Sequence, residues 1–255
     1  MANFDYPPFN QIHPPPQEID FLELERQLLI GHGYGYEFHH VIHTPTAQPY
    51  ILAVKYGFRE RLEDFMLQNE IRFLCLMDHR NLVNCHGISF TEYEIQLLFE
   101  FYTDNLHGIR INKEHILSII AKQILGGLRW LHSYGFAHRN ISPYNFVIDL
   151  RGNLKLKGFG LSTELMWVLP KYSRMNVGWS LYKSHWYLSN HLYSDDVLGE
   201  DIWGFGISMM EIYLGGPPYD YDRVSEFKNN ASWAFQDFVD CCLEYLPWKR
   251  SSEEC

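Results

Sequence analysis

From Phe21 to Val54, apolar and polar positions alternate over short runs, with glycines at 31, 33 and 35 and a turn signal in "HTPTAQPY". That pattern predicts strands joined by tight turns. "ILAVK" (residues 51–55) is apolar almost throughout, as a buried strand would be. The period then changes. In "RERLEDFMLQNEIRFLCLM", Leu62, Phe65, Met66, Ile71, Leu74 and Leu76 recur near helical spacing, whereas "NLVNCHGISF" and "EIQLLFEFY" return to strand character. Beyond residue 103 helices dominate. "KEHILSIIAKQILGGLRWLHSYG" is a long amphipathic helix with a glycine at its end. "DIWGFGISMMEIYLGG" is apolar on nearly all sides and suits a helix buried within a lobe, and "SWAFQDFVDCCLEYL" is amphipathic again. Residues 161–196 show neither period. The pattern predicts an α+β protein in two parts: a strand-rich part with one helix over 21–102, and a larger helical part over 103–255. A proline-rich, extended tail (1–20) precedes them, and no internal repeat is present.

Composition narrows the classes. Of 255 residues, 46% are hydrophobic and 16% aromatic, enough for packed cores rather than disorder. A formal charge of −10 opposes binding to nucleic acid or to an anionic membrane surface. No run has the length of a membrane span, and "MANFDYPPFN" lacks the charged and apolar regions of a signal peptide. Five cysteines, odd in number and without a C-x-x-C spacing, read as reduced thiols of a cytoplasmic or nuclear protein.

The chemistry concentrates in "FAHRNISPYNFVIDLRGNLKLKGFG", residues 136–160. Protein kinases carry H-R-D-L-x-x-x-N and, after a short strand pair, D-F-G. The same frame here is His138, Arg139, Asn140, Ile141 and Asn145, strand-like Phe146–Ile148 and Asn153–Lys157, then Gly158, Phe159 and Gly160. Both aspartates are replaced. With "AVK" upstream and the segments in this order, residues 24–255 resemble a eukaryotic protein kinase domain. "RGNLKLKGFGLS", "DIWGFGISMMEI" and "FQDFVDCCLEYLPWKR" are similar to the MAP kinase kinase family. The resemblance implies a bilobal fold with a small β-rich N-lobe, one main helix in it, and a larger helical C-lobe. Against that frame the C-lobe is shortened: Pro217–Ser232 is too short for the usual substrate-docking helix, and five residues follow Arg250.

The resemblance also implies site residues. Gly31 and Gly33 fit the first two glycines of the phosphate-covering loop, while Tyr36 and Phe38 stand where its third glycine and valine belong; a register starting at Gly33 fits as well. Lys55 would reach the phosphates of ATP, the implied ligand, with Glu70 as its helix partner. Ala53 and Val147 would sandwich adenine, Phe99 would be the gatekeeper, and Glu100 to Tyr102 would form the hinge. Asn145 survives as a metal ligand, but a neutral amide is a weak anchor for magnesium, and Gly158 has no side chain to help it. Asn140 replaces the catalytic aspartate with a group of no useful basicity, a loss of about 10²–10⁴-fold where general base catalysis operates. Ser142 replaces the loop lysine, and Trp179 the threonine that braces it. Lys157 reads as a solvated surface residue.

Scaffold residues remain in register. His138 and Phe159, with Leu74, fit the apolar spine; Asp201 fits the aspartate that holds the catalytic-loop backbone; Arg139 fits the arginine that reads a phosphorylated activation loop. The resemblance implies that Arg250 has lost its carboxylate, because A-P-E reads Ser184, His185, Trp186, leaving a stack on Trp186 in its stead. The family's phosphoacceptor positions fall on Lys171 and Met175, and no basic residue precedes Arg26 to form a MAP kinase docking motif. The expectation is therefore an inactive kinase-like protein that binds protein partners, a kinase of the MAP kinase cascade among them, with or without nucleotide. The alternatives are an atypical serine/threonine or dual-specificity kinase, and a nucleotide-free interaction scaffold.

Overall fold

The computed structural model describes residues 19–33, 35–56, 65–164, 180–184, 197–246 and 249–250, without the side chains of 65–69, 72, 164 and 180. The chain divides into two compact units, 1–102 and 103–255.

The first unit is a five-stranded antiparallel sheet plus a helix. Strands β1 (Leu24–Gly33), β2 (Tyr36–His43), β3 (Gln48–Tyr56), β4 (Cys85–Phe90) and β5 (Glu94–Glu100) lie in the order β1-β2-β3-β5-β4. Helix α1 (Phe65–Leu76) lies between β3 and β4 in the chain. Alternation divides β3 between two faces. Leu52 and Val54, with Val41, Tyr50, Leu98 and Ile19, form one buried cluster, against which Phe21 and Leu24 pack. Burying such a side chain is worth about 1.5–3 kcal/mol. Ile51, Ala53 and Lys55 take the other face, in register with Phe99, Leu97 and Ile95 of β5 and, at Ala53, with Phe38 of β2. Ala53 is thus set between two large apolar neighbours, and Lys55 follows it along the same row.

The second unit is mainly helical. Helix α2 (Glu114–Ser133) buries Leu117, Ile120, Ala121, Ile124, Leu128 and Leu131, spaced by three or four residues so that they share one stripe. Short strands β6 (Tyr102–Asn105), β7 (Phe136–Ala137), β8 (Phe146–Asp149), β9 (Leu154–Leu156) and β10 (Thr163–Glu164) form two small sheets, β6-β8-β9 and β10-β7. Helix α3 (Val197–Leu214) is buried on nearly every side. Its glycines permit this: a Cβ on Gly206 would stand 2.7 Å from the Cβ of Cys242, and one on Gly204 3.2 Å from the Cβ of Ile141. Gly204 therefore lets α3 press directly on the loop that carries Asn140.

One expectation is corrected here. The span Pro217–Ser232 does hold a helix, α4 (Tyr221–Asn230). Asp220 caps it by accepting from the Arg223 amide at 2.9 Å, Asp222 lies in its first turn and Lys228 in its last. Its apolar pattern is too thin to read from sequence, because Phe227 is its one buried residue, clasped by the rings of Tyr213 and Phe235 at 5.5 Å each. Helix α5 (Trp233–Cys242) follows, capped by Ser232. Among the described residues no helix is long and apolar enough to cross a membrane.

Candidate functional site: a kinase-like loop closed by amides

The loop between β7 and β8 is held from below by one carboxylate. Asp201, near the start of the buried helix α3, accepts from the amides of His138 and Arg139, both at 2.7 Å, and from His132 Nε2 at 3.0 Å. Burial works to raise its pKa, yet the His132 bond and charge and the His138 amide hold Asp201 below the ordinary carboxylate value. These bonds support Arg139 in the left-handed region, φ 65°, a strained place for a side-chain-bearing residue. The Arg139 carbonyl in turn accepts from Lys183 Nζ at 3.1 Å.

His138 is buried with its ring edge on Phe159, centroids 5.2 Å apart. Its two nitrogens are assigned by their neighbours. Nε2 faces the Lys157 carbonyl at 3.0 Å and must donate, while Nδ1 accepts from the Asn140 amide at 3.2 Å. Burial lowers its pKa to about 4, so the ring is neutral. Leu74 is buried in the first unit.

Where a kinase places two carboxylates, this chain places an amide, Asn140, and a glycine, Gly158, beside the retained Asn145. Asn145 ends a short 3₁₀ turn begun by Pro143, and its Nδ2 donates to the Asn140 carbonyl at 2.7 Å. Asn140 Nδ2 reaches the Gly158 carbonyl at 3.4 Å. Asn140, Ser142 and Asn145 are all buried. Gly158 adopts φ 89°, ψ 45°, and a Cβ there would meet Asn145 Oδ1 at 2.7 Å. The amide of Asn145 thus fills the space an aspartate side chain would start from. Lys157 departs from expectation: it is half-buried, its ammonium sits 4.8 Å from the Tyr144 ring centroid, and burial lowers its pKa to about 8. Val147 is buried in β8 opposite Lys155.

In the first unit, Lys55 and Glu70 do not pair with each other as expected. Tyr36 stands between them. Its hydroxyl donates to Glu70 Oε2 at 2.9 Å, and its ring face carries the Lys55 ammonium at 4.8 Å. Burial raises the pKa of Glu70, which the Tyr36 bond and the Lys55 charge offset only in part. Gly31 has open space where a Cβ would be, and Gly33 meets only the Phe38 ring, at 3.6 Å. Phe99 is half-buried in register with Ile51 and Cys85, and Glu100 is engaged with Asn84 through both its amide and its carboxylate. Tyr102 opens β6.

Arg250 is not deprived of a carboxylate. Its Nη1 donates to Glu200 Oε1 at 3.0 Å with both side chains buried, its other nitrogens reach the carbonyls of Glu244 and Tyr245, and Trp203 lies under the guanidinium at 4.8 Å. Glu200 also accepts from the amide and hydroxyl of Ser184. The sequence reading missed Glu200; its signal was an acid at the start of an apolar helix, next to Asp201, since a buried acid needs a base. Trp179, Lys171, Met175, His185 and Trp186 lie outside the described residues.

Neither magnesium nor a triphosphate fits these residues as they stand. Magnesium would meet only the neutral Oδ1 of Asn145, with an amide at 140 and a glycine at 158 where a kinase has carboxylates, and in the first unit Lys55 faces an aromatic ring. Among the described residues no group of histidines, cysteines and carboxylates could hold a metal ion.

Comparison with known proteins agrees with this frame. The protein kinase domain family matches residues 24–255. Mitogen-activated protein kinase kinase 9 of Arabidopsis thaliana is 29% identical over 254 residues, covering 91% of this chain and 82% of the relative. Mitogen-activated protein kinase kinase 7 of the same organism is 29% identical, over 92% and 82%. A CBL-interacting serine/threonine-protein kinase 21 is 28% identical over 60% of this chain and 37% of its own. The chain belongs to the protein kinase domain family, close to the MAP kinase kinases.

Proposed function

We propose that this protein is a kinase-fold member that does not transfer phosphate and works in signalling by binding a protein partner in the cytoplasm. The observation that carries the reading is the closed contact among Asn140, Asn145 and Gly158. Phosphoryl transfer depends on positioned charge and on metal that neutralises the phosphates. Here positions 140 and 158 supply no carboxylate, and the one metal-type ligand left, Asn145, offers a neutral amide oxygen packed against Gly158. The scaffold around it is nonetheless kept by Asp201, His138 and the Glu200–Arg250 pair, as suits a protein selected for a surface rather than for a reaction. Likeness to MAP kinase kinases supports a partner within a kinase cascade, and four described cysteines present as thiols support a reducing compartment.

The test is phosphotransfer from labelled ATP, with magnesium or manganese, to the chain itself and to a general kinase substrate. Incorporation should equal that of Lys55→Met. Stoichiometric transfer by the wild type that disappears in Lys55→Met would overturn the reading.

A further inference from the structure

Glycine-rich loops cover phosphates because backbone amides can approach them where side chains are missing. In the register that starts at Gly31 the position of the third glycine carries Tyr36, which is 3% exposed and therefore packed rather than poised above the sheet. Its hydroxyl is spent on Glu70 and its ring on Lys55. The turn just before it closes over the lysine stem, since a Cβ on Gly35 would lie 3.5 Å from Lys55 Cε. One neutral side chain has thus taken both members of the pair that would otherwise orient a triphosphate. A phosphate arriving at Lys55 must first pull the cation from the ring. Moving the tyrosine aside would then leave the half-buried Glu70 carboxylate without its donor, which is the costly direction for an acceptor withdrawn from water.

We propose that Tyr36 is a resident occupant of the phosphate-binding place and excludes nucleoside triphosphates from this protein. The ligand class it leaves open is one without phosphates. The inference concerns binding rather than phosphotransfer, so ATP binding without transfer would overturn it and leave the function proposed above standing.

The experiment measures thermal unfolding and calorimetric titration of the full chain with ATP, with ADP and with adenosine, each in EDTA and in magnesium. A ligand that binds only the folded form raises the midpoint by mass action. The wild type should show no shift with ATP or ADP. Tyr36→Gly should bind ATP at least about tenfold more tightly than the wild type, the order of gain from removing one buried competitor. Adding Lys55→Met should abolish that gain. Tyr36→Phe keeps the ring under Lys55 and the packing, and it should still exclude ATP. A wild-type midpoint that rises with ATP would overturn the proposal, and this holds even if Tyr36→Gly fails to fold. So would a folded Tyr36→Gly that remains indifferent to ATP.

Discussion

Restoring the missing aspartate tests the site most directly. In Gly158→Asp the new Cβ would stand 2.7 Å from Asn145 Oδ1 and 2.8 Å from its Cγ, closer than real Cβ contacts come. Asn145 would have to swing away, breaking its 2.7 Å bond to the Asn140 carbonyl and leaving two buried polar groups without partners. That costs about 1–3 kcal/mol. The backbone at φ 89°, ψ 45° adds about 1–2 kcal/mol for a residue with a side chain, although aspartate tolerates this region better than most. Together the variant should lose about 2–5 kcal/mol, a large part of the roughly 5–15 kcal/mol available to a domain. Urea unfolding at neutral pH, followed by fluorescence, measures it. Combining it with Asn145→Ala removes the overlap and should recover part of the loss. A Gly158→Asp protein within about 0.5 kcal/mol of wild type, the ordinary range of a neutral surface change, would refute the packing on which this site description rests.

Three further outcomes follow from the same contacts. His138 is neutral when folded, with a pKa near 4 against an ordinary 6.5, so the unfolded chain binds the extra proton first as pH falls. Its stabilising share is complete above 6.5 and drains away between 6.5 and about 4, worth about 3 kcal/mol at 1.36 kcal/mol per pH unit; His138→Gln should flatten that part of the unfolding profile, and an unchanged slope would contradict the assignment. Glu70 has the opposite sign: its pKa is raised, so its stability is present in acid and lost as pH rises through the folded value. Glu70→Gln, which still accepts from Tyr36, should therefore gain stability relative to wild type as pH rises towards neutrality, as paired denaturation curves would show. Glu200→Ala leaves Arg250 buried without its carboxylate and should cost about 3–5 kcal/mol, whereas a mild effect that is additive with Arg250→Ala would show that the pair is not coupled.

Much of this was legible in the residues alone. The strand-to-helix change near residue 60 and the uniformly apolar "DIWGFGISMMEI" marked helices α1 and α3, because period and all-round hydrophobicity report burial directly. The frame His138–Asn145–Gly158 located the loop, because each motif position stands at a fixed distance along the chain. What escaped were contacts made across long separations. Glu200 and Arg250 are 50 residues apart, and Tyr36 and Glu70 are 34 apart, so no local pattern links them. Helix α4 escaped for a different reason: with only Phe227 buried, its signal lay in the Asp220 cap and in charge placement rather than in apolar periodicity. Lys157 was misjudged because a lysine's exposure depends on its neighbours, here Tyr144, and not on its own polarity.

Ile19 and Phe21, just ahead of the first strand, are part of the lid on Val41, Leu52, Val54 and Leu98. Recombinant protein whose amino-terminus is trimmed past residue 21 would present that apolar face to water, and exposed patches of this kind drive self-association. Protease nicking during purification, or a cleavable tag placed too close to Ile19, would then be seen first as material lost to the void volume of a sizing column, long before any assay of binding was attempted.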